Sequence, residues 1–151
     1  MTPRESIVLA EQLARRLAVG QFRRDGTTPA ITHQEKVVAN LIAMRADWVE
    51  VSAGWLHDTP EDSPDPIAMF QLLRDAGVPP SVLEVLDLTT HWRGMTYSHY
   101  ITRMIKHPIR KVARRAMRVK KADIQANLSE TPTAHQVAKY YGALEQLENA
   151  Y

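Results

Sequence analysis

Apolar residues return every three or four positions along most of this chain, with polar residues filling the gaps, which is the periodicity of helices that bury one face. Within residues 33–44 the stripe is Val37, Val38, Leu41, Ile42 and Met44, and Glu35, Lys36 and Asn40 lie off it. A final amphipathic helix over about residues 133–148 turns Val137, Tyr140, Tyr141, Leu144 and Leu147 inward. No alternating segment of useful strand length, internal repeat or low-complexity linker interrupts the pattern, so the fold class is all-α.

The punctuation agrees. Thr2-Pro3-Arg4-Glu5, Thr32-His33-Gln34-Glu35 and Asp47-Trp48-Val49-Glu50 each place a capping oxygen three residues before a glutamate, the reciprocal pattern that satisfies free amides at a helix start. A helix over about residues 49–58 ends where Pro60 and Ser63-Pro64 break regular structure. Asp65-Pro66 opens another that runs to Ala76 and stops at Gly77. Helices over residues 81–88, 97–106 and 109–127 follow, separated by Gly94 and by His107-Pro108.

In the 109–127 helix, residues 109, 113, 116, 120, 123 and 127 share a face. Asp123 and Asn127 therefore point together toward the core, with Lys120 at the margin. An inward carboxylate is costly unless it is paired or binds a metal. Upstream, Trp55-Leu56-His57-Asp58-Thr59-Pro60-Glu61-Asp62 joins an imidazole and a carboxylate to an acidic pair one turn further on, and His33 lies at the start of its own helix. A single histidine there would ordinarily be a surface or capping residue, and a single aspartate in a basic helix an ion-pair partner. Jointly, His33, His57, Asp58 and Asp123 form a mixed nitrogen and oxygen set suited to a catalytic divalent ion rather than a thiolate-type structural site. Glu61 and Asp62 are placed to handle the protons of a water beside it.

The order His, His-Asp, Asp resembles the HD-domain metal-dependent phosphohydrolases. The form His-Asp-Thr-x-Glu-Asp, with Asp-x-x-x-Asn after it, resembles the (p)ppGpp hydrolase domain of RelA/SpoT enzymes and their small stand-alone relatives, from about Phe22 to about Asn127. The resemblance implies a helical HD bundle around a buried metal site. The metal would be Mn2+ first, with Fe, Zn, Ni or Mg as alternatives. The implied reaction removes the 3'-pyrophosphate of ppGpp or pppGpp, giving GDP or GTP and pyrophosphate. It also implies that Arg23 and Arg24, before the first histidine, contact the nucleotide, together with Asn127 on the nucleoside side. Apart from the resemblance, Lys120 at the margin of the Asp123 face and Arg93, in a loop that could reach phosphates but more often an ordinary surface arginine, are further candidate contacts. The basic stretch aligns only with one residue inserted near Thr27 or Thr28; Ala30 stands where the family has an aromatic residue and Gln34 where it often has proline. Hydrolysis of another nucleotide at the same metal site, such as a deoxynucleoside triphosphate, a nucleoside monophosphate or NADPH, is the alternative.

At 151 residues the chain fits one domain, residues 1–151, and leaves no room for a synthetase domain. Its net charge of +2 is unevenly spread: Lys106, Arg110, Lys111, Arg114, Arg115, Arg118, Lys120 and Lys121 crowd one segment. Most of these read as a solvated helix face; a nucleic-acid-binding helical module would use them for salt-dependent phosphate contacts, but no groove-reading motif accompanies them. The absence of cysteine fits a reducing compartment, and no signal peptide or membrane-length apolar run is found, so a cytoplasmic enzyme with a small nucleotide as its partner is expected. Homo-oligomer formation is left open. His91, His99, His107 and His135 have no partners at ligand spacing and read as surface or helix-end residues; Trp48, Trp55 and Trp92 read as core or rim aromatics.

Overall fold

These periodicities become helices in the computed structural model, which describes residues 1–150. They are α1 (Pro3–Leu17), α2 (Ile31–Ala43), α3 (Trp48–Leu56), α4 (Pro66–Asp75), α5 (Pro80–Thr89), α6 (Tyr97–Ile105), α7 (Arg110–Leu128) and α8 (Ala134–Asn149). No strand forms among the described residues; a single antiparallel bridge joins Phe22 to Pro29 in the α1–α2 loop. No helix there is long and apolar enough to cross a membrane.

The short α3 is the axis of the bundle. Its sequence is apolar on nearly every side, and residues Val49 through Leu56 are all buried, with α1, α2, α5 and α7 packed around them. Gly54 makes the α2 approach possible: a Cβ there would lie 2.5 Å from Cδ1 of Leu41, itself fully buried and unable to swing into solvent. Gly54→Val is therefore expected to destabilise the protein by about 1–3 kcal/mol through overpacking, read as a lower urea midpoint at unchanged slope.

Asp47 and Glu50 form the complete reciprocal cap of α3, and both acids are used again. Arg115 Nε lies 2.9 Å from Asp47 Oδ2, while Arg118 donates to Glu50 Oε2 at 2.5 Å and to the Met44 carbonyl at 2.7 Å. Part of the basic segment thus fastens α7 across the start of α3 instead of forming a solvated face.

Several expectations are corrected. α2 begins two residues earlier than Thr32 would set it, with Ala30 at the cap position and no side-chain cap. Thr2 accepts from the Glu5 amide, whereas the second complete cap is Thr133 with Gln136 on α8. Ile42 is 63% exposed and Tyr141 60% exposed. Ile42 lies about 140° around the helix from Val37, beyond the strip that meets α3 and α7. In α8 the contact centres on Tyr140, Ala143 and Leu147, which rotates Tyr141 out. Lys120, expected at the margin of its face, is buried, for a reason that the site supplies.

Candidate metal centre

α3 ends at Leu56, with His57 at its cap, because Pro60 offers no amide and disfavours helical backbone at Thr59. The chain winds on through residues 57–62 in turns, with Thr59 N donating to Leu56 O at 3.0 Å and Asp62 N to Asp58 O at 2.9 Å. This brings His57 and Asp58 to His33, in the first turn of α2, and to Asp123, in the second half of α7. One ligating atom each from His33, His57 and Asp58 lies within 4.8 Å of the others. Asp123 Oδ1 is 2.8 Å from His33 Nε2 and 3.3 Å from His57 Nε2. Asp58 Oδ1 is 3.2 Å from His57 Nε2, and its Oδ2 is 3.7 Å from His33 Nε2.

The His57 ring is oriented by α3 itself. Its Nδ1 lies 2.8 Å from the Gly54 carbonyl, which can only accept, so Nδ1 carries a proton and the neutral ring presents its lone pair at Nε2. That Nε2 is buried without a hydrogen-bond partner, facing carboxylate oxygens of Asp58 and Asp123. Electron-rich atoms converging at that range require a cation between them. Burial pushes His57 down, but Asp58 and Asp123 outweigh it and raise it to about 10, so a proton fills that role when no other cation does. Such a buried set of two imidazoles and two carboxylates could hold a divalent metal, and the backbone-anchored second nitrogen is the usual support for a ligating histidine.

Lys120 owes its burial to the same aspartate. Its Nζ donates to Asp123 Oδ2 at 2.8 Å and sits 5.1 Å from the Tyr100 ring. Burial opposes both charges, yet each holds the other: Lys120 is raised well above its ordinary value and Asp123 lowered well below. Asn127 Nδ2 donates to Asp123 Oδ1 at 3.2 Å, so α7 presents a carboxylate already held by two of its own side chains.

Glu61 and Asp62 border the same space. The Glu61 Oε1 accepts from the His91 amide at 2.7 Å, across from the α5–α6 loop. Desolvation and then the nearby Asp58 raise Asp62 to about 6; desolvation also raises Glu61, against the lowering His91 bond. Both residues are exposed overall while their carboxyl groups lie close to Asp58.

A cavity of about 910 Å³ opens onto these groups. Its rim is the 22–29 loop, where Asp25 accepts from the amides of Thr27 and Thr28 at 2.9 and 2.8 Å and from the Thr28 hydroxyl. Gly26 at φ 74° completes the turn. Those bonds, the Thr28 hydroxyl foremost, pull Asp25 down to about 2. The loop sets Arg23 and Arg24 on the cavity wall. Arg24 has no ion-pair partner among the described residues, whereas Arg23 donates to Glu130 Oε2 at 2.7 Å and to Asn127 Oδ1 at 3.3 Å. Arg93 stands exposed on the α5–α6 loop and does not line the cavity.

Other cavity groups carry no motif. His91 stacks on Tyr100 at 4.8 Å rather than lying at the surface, because its partner comes from α6. Lys139 lies 4.7 Å from the Tyr97 ring, and burial, then Lys120 and Arg24, lowers it. The Tyr97 hydroxyl is buried without a partner. Glu130, just past α7, lies 3.3 Å from His33 Nδ1 and 3.3 Å from Lys36 Nζ. The period of α8 places Tyr140 inward, which is the nearest thing to a sequence signal for this wall; Glu130 and His91 had none.

No protein-family model matches this sequence, and no curated protein does. Among solved structures the fold is similar to that of a metazoan ortholog of SpoT that hydrolyzes ppGpp and plays a role in starvation responses. The TM-score is 0.74 at 22% identity, over 99% of this chain and 87% of that one. The all-helical architecture expected from the sequence is therefore the architecture observed, and that solved structure shares its fold.

Proposed function

We propose that this chain is a metal-dependent phosphohydrolase that removes the 3'-pyrophosphate from ppGpp and pppGpp. The observation that carries the reading is the buried, partnerless His57 Nε2 aimed at the carboxylates of Asp58 and Asp123, with the raised acids Glu61 and Asp62 beside it. His33, His57, Asp58 and Asp123 would hold the ion. When bound, a divalent ion there supplies Lewis acidity toward a phosphate oxygen and makes water acidic enough to attack near neutral pH. Mn2+ is the first expectation for this mixed nitrogen and oxygen set.

The protein's own groups divide the remaining work. A carboxylate raised toward neutrality accepts a proton from water more readily than an ordinary one, so Asp62 takes the proton of the attacking water and Glu61, fixed by the His91 amide, orients it. Charge selects the substrate. Lys120, Lys139 and Arg24 share one side of the cavity, and Lys139 is pushed down first by burial and then by the other two cations, so a polyphosphate there would be favoured by positive charge. Arg23 and Asn127, bonded to each other at the α7 end of the cavity, would meet the nucleoside side. The fold of the metazoan ppGpp hydrolase supports the choice of guanosine nucleotide; the departures at Ala30 and Gln34 leave room for a different base or ribose.

The test is a nucleotide panel. With Mn2+, the protein should release pyrophosphate from ppGpp and pppGpp, and chelator should stop it. Turnover of a deoxynucleoside triphosphate, a monophosphate or NADPH, with none of (p)ppGpp under any divalent metal, would transfer the assignment to that nucleotide.

A further inference from the structure

Glu130 belongs to none of the motif positions, yet three cationic or proton-bearing groups converge on it. Its Oε2 accepts from Arg23 Nη2 at 2.7 Å and lies 3.3 Å from His33 Nδ1, while Oε1 is 3.3 Å from Lys36 Nζ. The His33 ring is buried and its Nδ1 makes no hydrogen bond; the Glu130 carboxylate, 3.3 Å away, is an acceptor that a small movement brings onto it. The backbone beyond Glu130 is also unusual. Thr131 has φ 51°, a left-handed conformation unfavourable for a β-branched residue, and Pro132 follows, which disfavours helical-type backbone before it. Strain of this kind persists where surrounding contacts over-determine the chain, and the contacts of the Glu130 carboxylate lie one residue before Thr131.

We infer that Glu130 is the positioning carboxylate of the metal centre: it accepts from the Nδ1–H of His33, which leaves the Nε2 lone pair for the ion, and through the same oxygen it ties that ring to Arg23 on the cavity rim. The inference rests on the metal reading above. His57 has the equivalent support from the Gly54 carbonyl, so the two imidazoles are held by different means, one by its own helix and one by a carboxylate shared with the substrate side. Outer groups that orient a ligating histidine typically change metal affinity by about 10–100-fold when removed. Because Arg23 competes with His33 for Oε2, losing Arg23 should leave the Glu130 charge more fully to the ring.

The experiment is Mn2+ calorimetry on the metal-free full chain, comparing wild type with Glu130→Ala, Glu130→Gln, Arg23→Ala and His33→Ala. The first is expected to bind Mn2+ about 10–100-fold more weakly, and Glu130→Gln, whose amide oxygen still accepts, to fall between it and wild type. Arg23→Ala should bind as tightly as wild type or more tightly. Circular dichroism melts must show each variant folded at the titration temperature. With Zn2+ bound, the His33 side-chain 15N resonances should report a protonated Nδ1 in wild type, with its proton lost to rapid exchange in Glu130→Ala. Wild-type affinity in Glu130→Ala, with His33→Ala defective, would overturn the inference alone. Arg23→Ala weakening Mn2+ as much as Glu130→Ala would overturn it as well, since the rim strap and not the carboxylate would then hold the ring. No Mn2+ binding by wild type would remove the metal reading itself.

Discussion

Asp58→Ala is expected to abolish metal binding and turnover together while leaving the helical fold intact. Asp123→Ala should do the same and also destabilise the protein by about 3–5 kcal/mol. The difference lies in what each carboxylate holds besides the ion. Asp58 is half-buried at the end of a turn; it attracts His57 at 3.2 Å but also raises Glu61 and Asp62, so the repulsion relieved by its removal offsets the attraction lost. Asp123 is the charge partner of buried Lys120 at 2.8 Å, accepts from Asn127 and lies 2.8 Å from His33 Nε2. Removing it strands an ammonium in the core, where an unpaired charge costs far more than the pair contributes. Elemental analysis gives the metal content and urea denaturation the stability. A folded Asp58→Ala protein with full metal occupancy would end the ligand assignment, and equal stability of the two variants would mean that Lys120 finds another partner.

That contrast also marks what was legible in the sequence. His33, His57, Asp58 and Asp123 stand out because a dipeptide, a helical period and a spacing are local signals, and the helices that carry them follow from caps and stripes that neighbouring residues define. Lys120 did not stand out correctly. Its period put it near the Asp123 face, but only the packing of α6 against α7, with the Tyr100 ring beside the ammonium, decides that it is buried. Glu130 was invisible for a related reason: its partners Arg23, Lys36 and His33 come from the α1–α2 loop and α2, about two-thirds of the chain away, and no regular element announces a residue just past a helix end. Ile42 and Tyr141 show the limit of hydrophobic stripes, which give the apolar side of a helix but not the width of the neighbour it meets.

The acidic pair should separate activity from stability. Glu61→Gln and Asp62→Asn are each expected to retain the metal but lower kcat by about a hundredfold or more, the scale of a lost proton-transfer group. In the metal-free protein the stability effect of Asp62→Asn should have the opposite sign. Asp62 is raised to about 6 in the folded state, above an unfolded value of about 3.9, so the folded protein holds that proton more tightly. Its favourable contribution is present in acid and is lost as pH rises through about 6, leaving at pH 7 an ionised carboxylate crowded against Asp58 and Glu61. An amide carries no such charge. Metal-free Asp62→Asn should therefore resist urea at least as well as wild type at pH 7, with the advantage shrinking as both are brought to pH 5 and below. A mutant that loses stability at pH 7 and gains it in acid would reverse the sign, and would mean that the Asp62 carboxylate is held by favourable contacts rather than kept poised, at a cost to the fold, for taking a proton from water.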